Sequence, residues 1–98
     1  MDSREALDVL RRHEAELRSL GVRRAALFGS TARGEADADS DLDVMVEVEP
    51  SARVGIYEYV GIVQYLESLF PVPVDVSNRE AQSPQVRKST EREAVYAF

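Results

Sequence analysis

The stretch from Ala25 to Val48 constrains the fold more than any other part of the chain. An apolar segment, Ala25-Ala26-Leu27-Phe28, runs directly into a turn of small residues at Gly29-Ser30. Ten residues separate Ser30 from the pair Asp41-x-Asp43, which opens the alternating run Leu42, Val44, Val46, Val48. Successive side chains of a strand point to opposite faces, so Asp41 and Asp43 emerge on one face while their apolar neighbours enter a core. Two carboxylates fixed that close together repel each other unless a cation sits between them. Hard oxygen ligands of this kind suit a divalent ion such as magnesium. The pattern predicts a phosphate-binding turn facing a metal site.

Gly29-Ser30, ten residues and Asp41-x-Asp43 together resemble the signature of the nucleotidyltransferase superfamily with the polymerase-beta-like fold. Arg33-Gly34 inside the turn and Ser40 just before the first Asp narrow the resemblance to its smallest branch, the minimal nucleotidyltransferases. Members of that branch are commonly the antitoxin half of a two-gene module whose toxin is a helical HEPN ribonuclease. The resemblance spans nearly the whole chain. It includes a leading helix, a third acidic residue on a later strand, and a closing helix that ends in an Arg-Glu-Ala-Val-Tyr-like tail, here Arg92 to Tyr96. It implies an α+β fold, a small mixed sheet flanked by helices. It also implies nucleotide binding by Gly29, Ser30, Arg33 and Ser40, and Asp41, Asp43 and Asp75 as catalytic ligands of two magnesium ions, with ATP as substrate.

At 98 residues the chain is read as one domain, 1–98, which buries roughly two thirds of its surface on folding. There is room for one core and one cleft. The absence of cysteine excludes disulfides, thiolate metal sites and cysteine nucleophiles. Met1 to Glu5 opens no apolar stretch of signal-peptide type, and no run approaches the roughly 20 apolar residues of a membrane span, so a cytoplasmic protein is expected. A net charge of -6 argues against extended binding to a nucleic-acid backbone, which needs clustered Lys and Arg. Glu35, Asp37 and Asp39 make the approach to the Asp pair acidic, either as a solvated loop or as an attraction for metal or partner.

The remaining elements follow from spacing and punctuation. Asp2 or Ser3 caps a first helix carrying Leu7, Leu10, Leu17 and Leu20, interrupted at His13 and ended by Gly21. His13 reads as a boundary residue. Residues 22–28 and 41–48 read as strands around a short helical turn at 30–34. A helix at about 54–70 carries Ile56, Tyr59, Val60, Ile62, Val63, Leu66, Leu69 and Phe70 on one broad stripe. A third strand at 72–76 alternates Val74 and Val76 with Asp75, and Pro73 confines it to an edge or to pairing after the proline. Ser83 and Pro84 start a closing helix to about Arg92, with an apolar tail from Val95 to Phe98.

Glycine at 29 lets backbone approach a ligand, the following turn offers N–H groups to phosphate oxygens, and Ser30 adds a hydroxyl. Arg33 either neutralises phosphate charge or pairs with Glu35 or Asp37; Asp75 either completes a carboxylate triad or is a strand-end residue satisfied by turn amides. Three functions fit. The first is an antitoxin enzyme that moves AMP from ATP onto a hydroxyl, read as tyrosine, of a partner HEPN toxin. The second is an antitoxin acting by contact alone, and the third is a transferase for a small molecule. The third is disfavoured by length, since one small domain leaves little surface to enclose a small acceptor.

Overall fold

The structure is a computed structural model; it describes residues 2–32 and 41–98. Arg33, Ser40 and the acidic approach at Glu35, Asp37 and Asp39 lie outside the described residues, as do the side chains of Ser30 and Thr31 and of residues 89–91. The chain order begins with α1 (Ser3–Arg12), α2 (Glu14–Ser19), β1 (Val22–Leu27), α3 (Gly29–Ala32) and β2 (Leu42–Val48). It continues with α4 (Ile56–Leu69), β3 (Val74–Asn78), α5 (Pro84–Glu93) and β4 (Val95–Tyr96). Short 3-10 turns at Pro50–Ala52 and Arg79–Ala81 lead out of β2 and β3.

Local chemistry accounts for most boundaries. The Asp2 carboxylate accepts from the Glu5 N–H at 2.8 Å, an N-cap that satisfies one of the helix's orphan donors. His13 divides the leading helix in two: its ring nitrogen Nδ1 lies 2.8 Å from the Val9 carbonyl and its ring stands edge-on to Tyr65. It is a boundary residue, as its place in the pattern predicts. Gly21 ends α2 at φ 105, and a Cβ there would stand 2.5 Å from Val54 Cγ2, so glycine is required both by conformation and by space. The Gly55 N–H is taken up by the Glu58 carboxylate at 3.1 Å, and α4 starts at Ile56, where the apolar stripe begins, two residues after the expected start at about 54. Ser83 Oγ accepts from the Val86 N–H, as its position before Pro84 predicts.

The four strands form one mixed sheet in the order β3-β2-β1-β4. β1 is antiparallel to β2 and β4, and β2 is parallel to β3, as expected of a β-α-β unit closed by α4. β4 was not evident in the pattern: the tail from Val95 read only as apolar, because two residues are too short to alternate. Its pairing with Leu27 and Ala26, and the bond from Ala97 N–H to the Ala25 carbonyl at 2.8 Å, place it at the sheet's far edge. Arg11 Nε donates to the Ala97 carbonyl at 3.0 Å and ties the tail to α1. β3 occupies the opposite edge. Pro73 has no N–H to donate, but its carbonyl accepts from Leu42 N–H at 2.9 Å, so the strand begins pairing directly after the proline.

One face of the sheet packs the core. Ala25 and Leu27 of β1 and Leu42, Val44 and Val46 of β2 meet Ala6, Val9 and Leu10 of α1, Leu17 of α2, and Ile62 and Leu66 of α4. Val74 and Val76 close it from β3. The broad stripe expected on α4 is narrower in fact: Ile62 and Leu66 are buried, whereas Ile56 is 76% and Val60 46% exposed. The 14-residue helix meets the sheet along one side only, and its first two turns turn part of their apolar surface outward.

On the other face Glu47 is 4% exposed, and three guanidinium groups surround it. Arg23 lies at 3.1 Å, Arg79 at 3.8 Å and Arg24 at 4.0 Å. The sheet register shifts between Val22 and Arg24, which lets both Arg23 and Arg24 reach the same carboxylate. Arg24 also lies over the Tyr96 ring at 3.8 Å, joining this cluster to β4.

Candidate active site

The sheet brings the sequence-predicted residues to one end of one face. β1 ends where the chain turns at Gly29, whose φ of 62 lies in the left-handed region that favours glycine. The Phe28 N–H donates to the Asp43 carbonyl at 3.1 Å, so the turn and the second Asp are fastened together through backbone. A Cβ at position 29 would stand 3.1 Å from Asp43 Oδ2, tighter than an ordinary contact. Glycine is therefore needed twice over: for its conformation, and because the carboxylate lies against the turn.

Asp43 is half-buried in the second position of β2, between Leu42 and Val44, both of which are in the core. Its register partner on the parallel strand β3 is Asp75, itself between the inward-packing Val74 and Val76. The adjacency of these two strands was supplied only by resemblance; the register now states it directly. Facing residues of neighbouring strands lie about 5 Å apart, and both side chains leave the same face. Asp41 precedes β2 by one residue and is exposed. Continuing the alternation of β2 back by two residues would give it the parity of Asp43.

Among the described residues no group of three or more His, Asp or Glu side chains is gathered closely enough to hold a metal ion. The donor chemistry nevertheless fits a hard cation. Two carboxylates in register, a third two residues upstream and a glycine turn open against one of them offer oxygen ligands only. Asp43 and Asp75 are brought together, Asp41 adjoins them, Gly29 touches Asp43, and Arg33 and Ser40 fall outside the described residues.

One residue was missed. Tyr59 of α4 is half-buried against the core, and its phenol is pushed above its ordinary value by burial and then by the negative charge of Asp75. Its spacing marked it only as part of an apolar stripe; nothing in the sequence distinguished it from its neighbours. α4 packs against β3, so this phenol lies within the field of the carboxylate edge.

With this geometry established, known proteins supply the family. Residues 10–97 match the family described as Nucleotidyltransferase domain. The chain belongs to the nucleotidyltransferase domain family. The protein adenylyltransferase MntA of Thermococcus cleftensis is 37% identical over 95 residues, covering 94% of this chain and 92% of that one. A solved structure described as a candidate minimal nucleotidyltransferase superposes with a TM-score of 0.73 at 34% identity, covering 97% of this chain and 95% of the other. An MNT antitoxin solved in complex with a tri-AMPylated HEPN toxin of Shewanella oneidensis shares the fold, with a TM-score of 0.64 at 16% identity over 94% of this chain and 71% of that one. The small mixed four-stranded sheet with its helices is the minimal nucleotidyltransferase fold. Among the described residues no helix of this nucleotidyltransferase is long and apolar enough to cross a membrane.

Proposed function

We propose that the chain is the antitoxin of a HEPN toxin and neutralises it by transferring AMP from ATP onto a tyrosine hydroxyl. The observation that carries this reading is the register of Asp43 with Asp75 beside the Gly29 turn, a constellation that phosphoryl transfer needs and a contact-only inhibitor does not. The adenylyltransferase relative and the AMPylated toxin of a fold neighbour support the acceptor class.

In this reading the amides of the turn at Gly29 and Ser30 hold the outer phosphates, with Arg33 and Ser40 contributing from the neighbouring segment. Asp41, Asp43 and Asp75 would hold two magnesium ions, which when bound neutralise charge on the attacking and leaving oxygens of an in-line displacement. Asp75 takes the proton of the acceptor hydroxyl. The acceptor oxygen forms its bond to the α-phosphorus as the bond to the bridging oxygen breaks, and pyrophosphate leaves with the electron pair. Glycine at 29 leaves room for the Asp43 carboxylate to lie against the turn.

The test is incubation of the purified chain with labelled ATP, magnesium and the purified product of the adjacent gene. The acceptor should gain one or more AMP masses and remain inactive after the two proteins are separated, because a covalent change outlasts the contact. An acceptor of unchanged mass that regains full activity on separation would establish inhibition by binding alone.

A further inference from the structure

We propose that the outward face of α4, around Tyr57, Val60 and Gly61, is where a helix of the protein acceptor docks. This rests on the reading that the acceptor is a protein, and it adds a place for that protein on the enzyme. Ile56 is 76%, Tyr57 88% and Val60 46% exposed, three large apolar side chains on the first two turns of a helix that already buries Ile62 and Leu66 on its other side. Ile56 and Val60 are four residues apart, as are Tyr57 and Gly61, so the four form two adjacent rows on the outer surface.

Gly61 is the unusual member. A glycine in a helix interior is destabilising relative to alanine, and a Cβ built at this position meets nothing within 4 Å. The described residues of the domain give no steric reason for it. Between exposed apolar neighbours, a missing side chain lets a second helix approach closely, since interaxial distance follows the side chains at the contact.

Charge decides the occupant. Over its 14 residues α4 carries Glu58 and Glu67 and no basic residue, in a chain of net charge -6. A second copy of this chain would set acid against acid, whereas a helix with an apolar centre and a basic rim would be complementary. The position suits an acceptor: α4 packs against β3, the edge strand that carries Asp75. α4 lies on the core side of β3 and Asp75 leaves the other side of that edge strand, so a segment of a protein resting on α4 reaches the carboxylate around the sheet's edge.

The experiment uses the full chain, with the purified product of the adjacent gene as the probe. Gly61→Leu, Tyr57→Ser and Glu67→Lys are each expected to raise KM for that acceptor, the first two by about tenfold or more. Affinity for ATP measured by calorimetry should be unchanged. Gly61→Leu should also melt no lower than wild type, because its Cβ enters open space and leucine is the better helix former. Unaltered acceptor KM in all three variants would overturn the proposal. So would a wild-type dimer in sedimentation that Gly61→Leu dissociates, because the occupant would then be a second copy. Direct binding without ATP separates the two readings: an acceptor that binds but gains no AMP removes the transfer chemistry, and docking on α4 then stands or falls on whether Gly61→Leu weakens that binding. A wild-type chain that does not bind the acceptor overturns the docking.

Discussion

Asp43 and Asp75 are register partners on parallel neighbouring strands, one at the second position of β2 and the other at the second position of β3. Strands so arranged cannot separate the two carboxylates without breaking the ladder that their apolar neighbours Leu42, Val44, Val74 and Val76 hold in place. Repulsion between the two is therefore built into the fold, and a bound cation relieves it.

The first prediction follows from that repulsion. Asp43→Asn and Asp75→Asn should each lower AMP transfer by about a hundredfold or more, since in the proposed mechanism each removes a charge that acts on the reacting phosphate. In the absence of divalent metal either variant should melt slightly higher than wild type. Thermal melts with chelator and with added magnesium check both halves: metal should raise the wild-type midpoint and leave the variants nearly unmoved. A wild-type midpoint insensitive to magnesium, with or without ATP, would remove the metal site.

A second prediction isolates Gly29. Alanine there must adopt a φ of 62 and set its Cβ 3.1 Å from Asp43 Oδ2. The left-handed conformation alone costs about 1 to 2 kcal/mol. Urea unfolding should register a loss of that size, and transfer should fall by more than the stability loss explains, because the displaced group is a carboxylate of the proposed metal site. Asp43→Asn in a Gly29→Ala background should add little to the activity loss, a non-additivity expected of residues in contact.

Much of this was legible beforehand for a physical reason: strand alternation is a short-range property. Asp43 between Leu42 and Val44, and Asp75 between Val74 and Val76, carry their facing in their immediate neighbours. Pro73 announced an edge strand because a missing donor is local too. What the sequence could not carry was relation at a distance. β4 is two residues long and exists only through its pairing with β1. The exposure of Ile56 and Val60 depends on how α4 tilts over the sheet, and the role of Glu47 depends on a register shift in β1 that brings Arg23 and Arg24 together. Tyr59 looked like one more apolar residue until α4 was set against β3.

A third prediction concerns pH. Burial first, and the Asp75 charge second, raise the Tyr59 phenol above its ordinary value of 10.0 in the folded chain. The unfolded chain ionises this tyrosine near pH 10, so below that pH the group leaves stability unchanged. Between pH 10 and the higher folded value the unfolded state is favoured by its earlier ionisation, and stability falls. Tyr59→Phe should flatten that part of the decline in urea midpoint measured from pH 9 to 11. Asp75→Asn should reduce it only in part, since burial is the larger cause. A Tyr59→Phe profile that follows wild type across that range would count against the assignment.

The last prediction compares two ways of dismantling the Glu47 cluster. Glu47 is 4% exposed, while the side chains of Arg23 and Arg24 are 44% and 46% exposed. Replacing the carboxylate by Glu47→Met removes the buried charge and leaves arginines that can turn to water, so the change should be within about 1 kcal/mol of neutral. The Arg23→Met, Arg24→Met double variant does the opposite. It strands a buried carboxylate whose Oε2 already lacks a hydrogen-bond partner, with Arg79 at 3.8 Å from Oε1 as its remaining cation among those three. That variant should lose about 2 to 4 kcal/mol in urea unfolding at neutral pH, less than a fully unpaired charge because Arg79 stays. Adding Glu47→Met to the double variant should restore most of the loss, since the charge that needed partners is then gone. Failure of that rescue would mean that the arginines act through packing, with Arg24 on Tyr96 the first contact to test.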